Sequence, residues 1–340
     1  MSRVTINDIA RRAGVSKGAV SYALNGRPGV SEQTRTKILD VARDLGWAPN
    51  RTARMLSGSR TETFGLVLAR DPRTLGSEPF YMEFIAGLQS ELSQRGYALL
   101  LQLTPTSADE LALYPRWWSE RRVDAVVIVD IQIDDPRVPA IAELEMPAVF
   151  VGDPAVTAGL TTVWTDDASA MTAAIRHLVA LGHRKFGRVA GPADLSHTRV
   201  RDRAFERAVA EIGACGRVLH ADFSDVSGHQ ATRELWAMAD RPTAIVYDND
   251  LMAIAGLSAF AELGVAVPEE VSLLAWDDSE LCTLTHPRLS ALHHDVLAFG
   301  AHVGRRLFDL LDGAPPGAYL DSTPVLVERD STAPPGPPAH

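Results

Sequence analysis

The first 48 residues contain three short stretches in which apolar residues recur every three or four positions, the spacing of amphipathic helices. Thr5 precedes the first stretch as an N-cap, and Gly14 ends it because a tight turn favours glycine. Ser16 and Ser31 are N-caps for the second and third stretches, and Gly46 ends the third. The pattern predicts three helices, of which the first two are joined by a glycine turn.

From residue 61 onward, apolar runs of strand length alternate with helical stretches. Strands are predicted at 64–69, 98–103, 125–129, 148–151, 186–190, 244–247 and 271–275, and helices at 84–95, 171–181 and 205–212. Continuous apolar strands between helices are typical of a parallel sheet that is covered on both faces. Because the series repeats after residue 160, we predict an α/β body of two doubly wound parallel-sheet lobes behind an all-α helix-turn-helix head.

Charge is divided unevenly between these two parts. Residues 1–60 contain eleven Lys and Arg against four Asp and Glu, a net charge of +7, whereas the whole chain carries −10. A basic head on an acidic body attracts a polyanion at the head and repels it elsewhere. The balance argues against a protein that coats nucleic acid over its whole surface.

The second predicted helix has the outward residues of a DNA recognition helix. Lys17, Ser21 and Tyr22 can bond to base edges or phosphates, and Gly18 permits close approach. The alternative is a three-helix bundle with a solvated basic face, but the helix lengths, the turn and the polar set together favour DNA binding. Arg11, Arg12, Arg27 and Arg35 are placed to contact phosphates.

Two interpretations remain open for residues 49–58. Asn50 can cap a helix of about two turns that Gly58 ends, and so short a helix is marginal alone in water. Bound to DNA it would become ordered, and Leu56 would act as a wedge in the minor groove. A domain linker with an exposed leucine is about equally consistent with the sequence.

Polar side chains follow the predicted strands at 166–167, 248–250 and 277–278, and Arg199 follows another strand end. Open parallel sheets bind ligands at the carboxyl ends of their strands. Asp, Asn and Arg suit vicinal hydroxyls, and an aromatic face packs on a sugar ring. A single Asp is better explained as a helix cap, but several strand ends together favour a small polyhydroxylated ligand. The candidate aromatic residues are Phe80, Tyr81, Phe223 and Trp276.

Other kinds of chemistry lack their motifs. GxGxxG, GxxxxGK[ST] and HExxH do not occur. No Ser/His/Asp elbow of GxSxG form is visible either, since Gly14-Val15-Ser16-Lys17-Gly18 lies in the glycine turn between two predicted helices, so neither a nucleotide cofactor nor an enzyme is expected. His293 and His294 have no Cys or carboxylate at ligand spacing, so no metal is expected. Two cysteines, no 18-residue apolar run and no signal-peptide core lead us to expect a cytoplasmic, nucleoid-associated protein.

The head contains Val4-Thr5-Ile6-x-Asp8-Ile9-Ala10-x-x-Ala13-Gly14-Val15-Ser16, Val20-Ser21-x-x-Leu24-Asn25-Gly26, Val30-Ser31-x-x-Thr34-Arg35 and Leu45-Gly46-Trp47-x-Pro49-Asn50-x-x-Ala53-Arg54-x-Leu56. These runs resemble the lactose-repressor/galactose-repressor (LacI/GalR) family of bacterial transcriptional regulators, and the resemblance continues to about residue 330. It implies a periplasmic-binding-protein-like body and a homodimer on a pseudo-palindromic operator. Base or groove contacts are then expected from Lys17, Gly18, Ser21, Tyr22, Ala53 and Leu56, and phosphate contacts from Thr5, Ser16, Asn25, Ser31, Arg35 and Asn50.

Further matches in the body include residues 180–184, 199–205, 242–253 and 267–278. The resemblance implies that Arg199 and Asp250 grip an effector in the cleft between the lobes. It also implies that Asp167, Phe223 and Asn249 line this cleft, and the candidate aromatic residues Phe80 and Trp276 complete the predicted effector-binding set. Two departures matter: Tyr22 stands where the family commonly has Arg, and Glu78 where it has Asn.

We therefore predict an effector-controlled, sequence-specific transcriptional regulator, most simply a repressor, in which the ligand acts as inducer or as corepressor. The alternative is a solute-binding protein with the same body and no regulatory role. Without a C-terminal leucine heptad, a dimer is favoured. The predicted domains are a DNA-binding domain at 1–48, a hinge helix and linker at 49–60, an N-terminal lobe at 61–160 plus about 290–320, a C-terminal lobe at 161–289 plus about 321–330, and a disordered tail at 331–340.

Overall fold

The computed structural model describes residues 4–24, 28–47, 60–70, 72, 76 and 78–336. The chain divides into two compact units, Met1–Thr61 and Glu62–His340. Across the described residues, none of the helices combines the length and the apolar character that a membrane span requires.

The first unit contains the three predicted helices, α1 (Ile6–Ala13), α2 (Lys17–Leu24) and α3 (Glu32–Asp44). Thr5 and Asp8 form a reciprocal capping box at the start of α1, and Gly14 ends it with φ of +67°. Ser31 accepts a hydrogen bond from the backbone N–H of Thr34 and so begins α3. The helices pack around a core of Ile9, Ala10, Ala13, Val20, Ala23, Ile38 and Ala42.

The first lobe of the second unit is one parallel sheet with helices on both faces. Its strands, numbered in chain order, are β1 (Thr63–Leu68), β2 (Ala98–Leu103), β3 (Ala125–Ile128), β4 (Ala148–Val151), β5 (Thr162–Thr165) and β11 (Ala318–Ser322), arranged as β11-β5-β4-β3-β1-β2. Its helices are α4 (Pro79–Gln94), α5 (Ser107–Ser119), α6 (Arg137–Glu143) and α12 (Val296–Leu311). Every residue of β3 is buried, which explains its uninterrupted apolar sequence.

Helices α4 and α12 approach each other unusually closely. A Cβ atom on Gly87 would collide with the carbonyl oxygen of Leu297, and one on Gly300 with the carbonyl oxygen of Phe84. Glycine is therefore required at both positions because the facing backbone cannot move aside as a side chain can.

The second lobe has the same plan. Its strands are β6 (Lys185–Ala190), β7 (Cys215–His220), β8 (Ala244–Tyr247), β9 (Ser272–Trp276), β10 (Ser290–His293) and β12 (Val325–Val327), arranged as β12-β10-β9-β8-β6-β7. Only β12 is antiparallel to its neighbour among these strands. The helices are α7 (Asp167–Ala180), α8 (Ser196–Glu211), α9 (Asp225–Ala237), α10 (Asp250–Leu263) and α11 (Leu281–Leu284). The predicted pair of doubly wound lobes is confirmed.

The chain passes between the lobes three times, after β5, after β10 and after β11. The predicted boundaries at residues 160, 290 and 320 fall a few positions early. Strand β5 still belongs to the first sheet, β10 to the second, and β11 runs to Ser322. The crossing residues carry no turn signal that differs from an ordinary loop, so the pattern alone does not place them.

The segment after β12 corrects a second expectation. Ser331 is fully buried and donates to the carbonyl oxygen of Leu273 at 2.7 Å. The carbonyl oxygen of Ala333 lies 2.9 Å from His183 Nε2 and accepts from Ser272 Oγ at 3.0 Å. The prediction of a disordered tail is therefore wrong for residues 331–336, because backbone and hydroxyl groups fix a proline-rich segment that has little apolar side chain. Residues 337–340 lie outside the described residues.

Candidate functional site

The carboxyl ends of strands from both sheets meet around one cavity of about 90 Å³. Arg70 follows β1, Asp130 follows β3, and Phe223 follows β7. Asp248 and Asp277 follow β8 and β9 in the same way. This is the position at which doubly wound sheets bind ligands, since the loops there are free to carry polar side chains.

Arg70 organises the wall that belongs to the first lobe. Its Nε donates to Asp130 and its Nη1 to Glu78, each at 2.9 Å. Tyr81 donates its hydroxyl hydrogen to Asp130 at 2.8 Å. The guanidinium lies 4.9 Å from the ring centroid of Tyr81 and 5.1 Å from that of Phe223, so aromatic faces contact the same cation.

Burial and ion pairing shift the pKa values of the two carboxyl groups of this wall in opposite directions. Burial raises the pKa of Glu78 to about 7, although the neighbouring Arg70 lowers it in part. Burial also disfavours the Asp130 carboxylate, but Arg70 overcomes that effect and brings the pKa of Asp130 down to about 2. Glu78 therefore exchanges its proton near neutral pH while Asp130 stays ionised.

The wall of the second lobe is also built on a paired arginine. Arg201 Nε donates to Asp167 at 2.7 Å, and its guanidinium lies 3.8 Å from the ring centroid of Trp276. Asp248 accepts from Arg188 Nη2 at 2.7 Å and from the backbone N–H of Gly191 at 2.9 Å. These bonds compensate the buried charges and hold the ends of β6 and β8 together.

Aromatic residues form the apolar side of the cavity. Phe80 stacks on Phe84 with ring centroids 6.1 Å apart and on His294 at 6.2 Å. Three lining residues other than glycine have left-handed backbone, Asp130 at φ +50°, Phe223 at +68° and Asp277 at +59°. Such backbone conformations are unfavourable for residues other than glycine, and they cluster at ligand-binding and active sites.

A second, larger cavity of about 320 Å³ adjoins the first and shares Arg70 and Phe223 with it. Beside it the two lobes are joined directly, since the backbone N–H of Ile133 donates to the carbonyl oxygen of Asp194 at 2.9 Å. The Gln132 side chain donates to the Asp194 carboxylate at 3.2 Å. Val129 and Asp130 also line both cavities; we call the first, with its aromatic lining, the inner cavity and the second the outer cavity.

Of the seven predicted effector-binding residues, the structure brings three to the inner cavity. Phe80, Asp167 and Phe223 line it. Trp276 does not line it but supports Arg201 from behind, and is almost fully buried.

Arg199 does not reach the cavity and is exposed. It lies two residues before Arg201 on α8, and two residues turn an α-helix by about 200°. The arginine that faces the ligand cavity is therefore Arg201. Both Arg199 and Arg201 are present in the sequence motif, and what distinguishes them is that Arg201 lies on the buried face of α8 and Arg199 on the exposed face.

Asn249 and Asp250 have structural partners instead. Asn249 accepts from the backbone N–H of Met252 at 2.8 Å and so caps α10. It also donates to the carbonyl oxygen of Phe223 at 3.0 Å. Asp250 is hydrogen-bonded to Ser279, and burial raises its pKa to about 6. The acidic residues that do line the cavity at these strand ends are Asp248 and Asp277.

Several lining residues were not assigned from the sequence. Arg70, Asp130, His197 and His294 carry no motif, and each follows a strand or begins a helix. A position directly after an apolar run is the same signal that predicts binding residues at 166–167, 248–250 and 277–278 and at Arg199. In the described part of the chain, no group of three or more His, Cys, Asp or Glu is arranged to hold a metal ion.

The first unit presents the predicted polar face. Lys17, Gly18 and Tyr22 are exposed on α2, and Ser21 is half-buried. Thr5, Ser16 and Ser31 are exposed at the starts of the three helices. Arg35 is half-buried and donates to the carbonyl oxygen of Ala23 at 3.4 Å. The predicted contacts Asn25, Asn50, Ala53 and Leu56 lie outside the described residues.

A three-helix unit with a polar recognition face, on the same chain as a two-lobed ligand-binding body, defines a ligand-responsive DNA-binding protein. Comparison with known proteins agrees with this class. Residues 5–50 match the model of the bacterial regulatory proteins of the lacI family, and residues 175–332 match a periplasmic binding protein-like domain.

The chain is 33% identical over 300 residues to the HTH-type transcriptional repressor PurR of Photobacterium profundum, covering 87% of this chain and 88% of PurR. It is 31% identical over 316 residues to the HTH-type transcriptional regulator CelR of Thermobifida fusca, covering 92% and 93% of the two chains. The lac repressor dimer bound to operator and an anti-inducer is 25% identical, with a TM-score of 0.86 over 98% of this chain and 100% of that one.

The chain belongs to the LacI family of bacterial regulatory proteins. It is an effector-controlled, DNA-binding transcriptional regulator. The alternative of a plain solute-binding protein is thereby excluded, since the DNA-binding unit and the ligand-binding body match regulators over nearly the whole chain.

Proposed function

We propose that this regulator acts as a homodimeric repressor that is released from a pseudo-palindromic operator by a small hydroxyl-bearing effector. The observation that carries the proposal is the cavity at the strand ends of both lobes, lined by paired carboxylates, arginines and aromatic rings. Its relatives support the proposal, since PurR is named a repressor, one solved relative is CelR with cellobiose, and another is a lac repressor dimer on its operator.

The proposed mechanism is a shift between two lobe arrangements. Strand ends of both lobes line the cavity, so a ligand that contacts both favours one lobe angle over the other. In a homodimer that angle would set the separation of the two DNA-binding units, and hence whether both fit adjacent major-groove half-sites. Within each head, Lys17, Ser21 and Tyr22 would contact base edges, while Thr5, Ser16, Ser31 and Arg35 would contact phosphates. Asn25 and Asn50 would add phosphate contacts, and Ala53 and Leu56 would enter the minor groove.

Arg201 and Asp167 would hold effector hydroxyls, with Phe80 and Phe223 against the apolar face of the ligand. We assign no catalytic step to these residues and place the protein in the cytoplasm, where the nucleoid is.

Selection of binding sites from random DNA tests the DNA-binding half of the proposal. We expect one enriched site with two related half-sites, and weaker, altered selection by Tyr22→Ala. Leu39→Ala is the matched control, because Leu39 is about as exposed as Tyr22 but lies on α3. Failure to enrich any sequence would contradict the assignment.

Release of that DNA by D-glucose, D-galactose, D-xylose or cellobiose tests the effector half. The double variant Arg201→Leu/Asp167→Asn removes both members of the buried pair, so neither charge is left alone. It should bind operator normally and lose the response, whereas Arg199→Leu should keep both. If Arg199→Leu abolished the response instead, the placement of the effector would be wrong.

A further inference from the structure

His294 is buried at the inner cavity. Its side chain is 4% exposed and lines that cavity. Among the residues that the structure describes, neither ring nitrogen has a hydrogen-bond partner. The nearest charged group is Asp277, whose Oδ1 lies 3.6 Å from His294 Nε2, too far for a hydrogen bond. Buried polar groups are normally satisfied, so these two nitrogens point to a ligand.

The imidazole is held in place by aromatic neighbours. Phe80 stacks on it at 6.2 Å with an interplanar angle of 19°, and Phe299 packs at 5.8 Å. Both aromatic residues line the same cavity. A ring fixed in this way loses little freedom when it binds, which favours its use in recognition.

The charges around the cavity restrict what can bind there. Both lining arginines are already paired, Arg70 with Asp130 and Glu78, and Arg201 with Asp167. Within the described part of the chain, the His294 ring at 3.6 Å is the one ion-pair partner of Asp277. A phosphate or carboxylate entering the cavity would have to displace one of the bound carboxylates and approach Asp277. An uncharged ligand meets neither obstacle.

We propose that His294 and Asp277 together bind hydroxyl groups of an uncharged effector, and that His294 sets the specificity of the site. This rests on the effector site proposed above. A hydroxyl group is both donor and acceptor, so one placed near the pair accepts from an imidazole N–H and donates to the Asp277 carboxylate. A ligand that lacks a hydroxyl there leaves both buried groups unsatisfied, which a site of this kind rejects strongly.

His293 provides a matched control. It is adjacent in sequence, 47% exposed, 3.4 Å from Asp278, and not among the residues that line the cavity. Binding is measured by calorimetry on the full chain with D-glucose, D-galactose, D-xylose and cellobiose as uncharged probes. D-glucose 6-phosphate and D-gluconate are the anionic probes.

We expect at least one uncharged probe to bind and neither anionic probe to bind more tightly. His294→Phe keeps an aromatic ring and should weaken binding about tenfold or more, while His294→Gln, which retains a donor and an acceptor, should lose less. His293→Phe should stay within about twofold of the wild type. If His294→Phe does not fold, imidazole ¹⁵N signals of the wild type replace it: those of His294 should shift on sugar binding, and those of His293, which does not line the cavity, should not.

Equal affinity of His294→Phe and the wild type would overturn the proposal, as would tightest binding of an anionic probe. Failure of every uncharged probe would also overturn it. In each case, operator binding by the same preparation shows whether the regulatory assignment still holds, because that assignment does not depend on His294.

Discussion

Glu78 is a buried carboxyl group in the wall of the inner cavity whose pKa is raised to about 7. It is 6% exposed, shares Arg70 with Asp130, and lies within the electrostatic reach of Asp277 on the other lobe. Burial and these two carboxylates oppose its ionisation, and Arg70 only partly compensates. The proton on Glu78 is therefore coupled to the stability of the folded body.

The variant Glu78→Gln tests this coupling. The pKa of Glu78 is raised from an ordinary 4.5 to about 7, so the stability it contributes is full below about pH 4.5 and is lost as pH rises through 7. Relative to Glu78→Gln, the wild type should lose about 3 kcal/mol of unfolding free energy across that range. Urea unfolding at several pH values measures it. Parallel pH profiles of the two proteins would show that the side chain does not titrate in this window.

At the residue scale, the sequence located the cavity better than it located the side chains. The acidic pairs after β8 and β9 were identified because apolar strands end visibly before them. Which of these polar residues faces the ligand depends on loop geometry: the family resemblance implies Asn249 and Asp250, whereas Asp248 and Asp277 line the cavity. Arg70 and His294 were not assigned, since a single charged residue after a strand resembles any loop residue.

At the scale of elements, helices α4 and α12 pack together although they are far apart in the chain. Helix α4 lies at the start of the first lobe, and α12 follows only after the chain has crossed to the second lobe and returned. Their close contact depends on Gly87 and Gly300. The apolar period of the sequence predicted α4, but its partner could not be predicted because the contact spans more than two hundred residues.

Gly300→Ala should destabilise the body by about 1–3 kcal/mol or more, because the added methyl group meets the backbone of Phe84. Gly304→Ala on the same helix should cost less, since its Cβ would lie 3.0 Å from the Cβ of Glu91, a contact that a shift of a few tenths of an ångström relieves. Denaturant unfolding of both variants gives the comparison. Equal stability of the two would indicate that the helices separate at little cost.

The segment after β12 is also held by long-range contacts that the sequence pattern does not predict. Ser331→Ala should cost about 1–3 kcal/mol, because it leaves the buried N–H of Ser290 and the carbonyl of Leu273 without their partner. Exposed Thr323→Ala should remain within about 0.5 kcal/mol of the wild type. The proline-rich composition predicted disorder there. The hydrogen-bonding groups that fix the segment belong to residues far away in the sequence, so composition alone does not reveal them. If Ser331→Ala unfolded at the same denaturant concentration as the wild type, the segment would contribute nothing to the stability of the body.

At the scale of the whole molecule, charge separates the two activities. The first 60 residues carry +7 while the chain as a whole carries −10. The inner cavity, in contrast, has its arginines neutralised by carboxylates. DNA binding and effector binding should therefore respond differently to salt.

Raising salt from about 50 to 200 mM should weaken operator binding on the order of a thousandfold, through release of counterions from several phosphates. Binding of an uncharged sugar over the same range should change less than about twofold. Titrations of both ligands at matched salt concentrations give the two slopes. A steep slope for the sugar would mean that ions are bound or released with it, and would contradict the internal neutralisation of the cavity arginines.

The three crossings also constrain how such a protein can be recombined. A gene fusion joined near residue 61 exchanges one compact unit for another and leaves every sheet complete. A junction inside the body does not, because the first sheet needs β11 and the second needs β12, which lie only a few residues apart near the end of the chain. New pairings of operator and effector should therefore arise by shuffling whole heads onto whole bodies, and hybrid bodies made of lobes from two parents should fail to assemble.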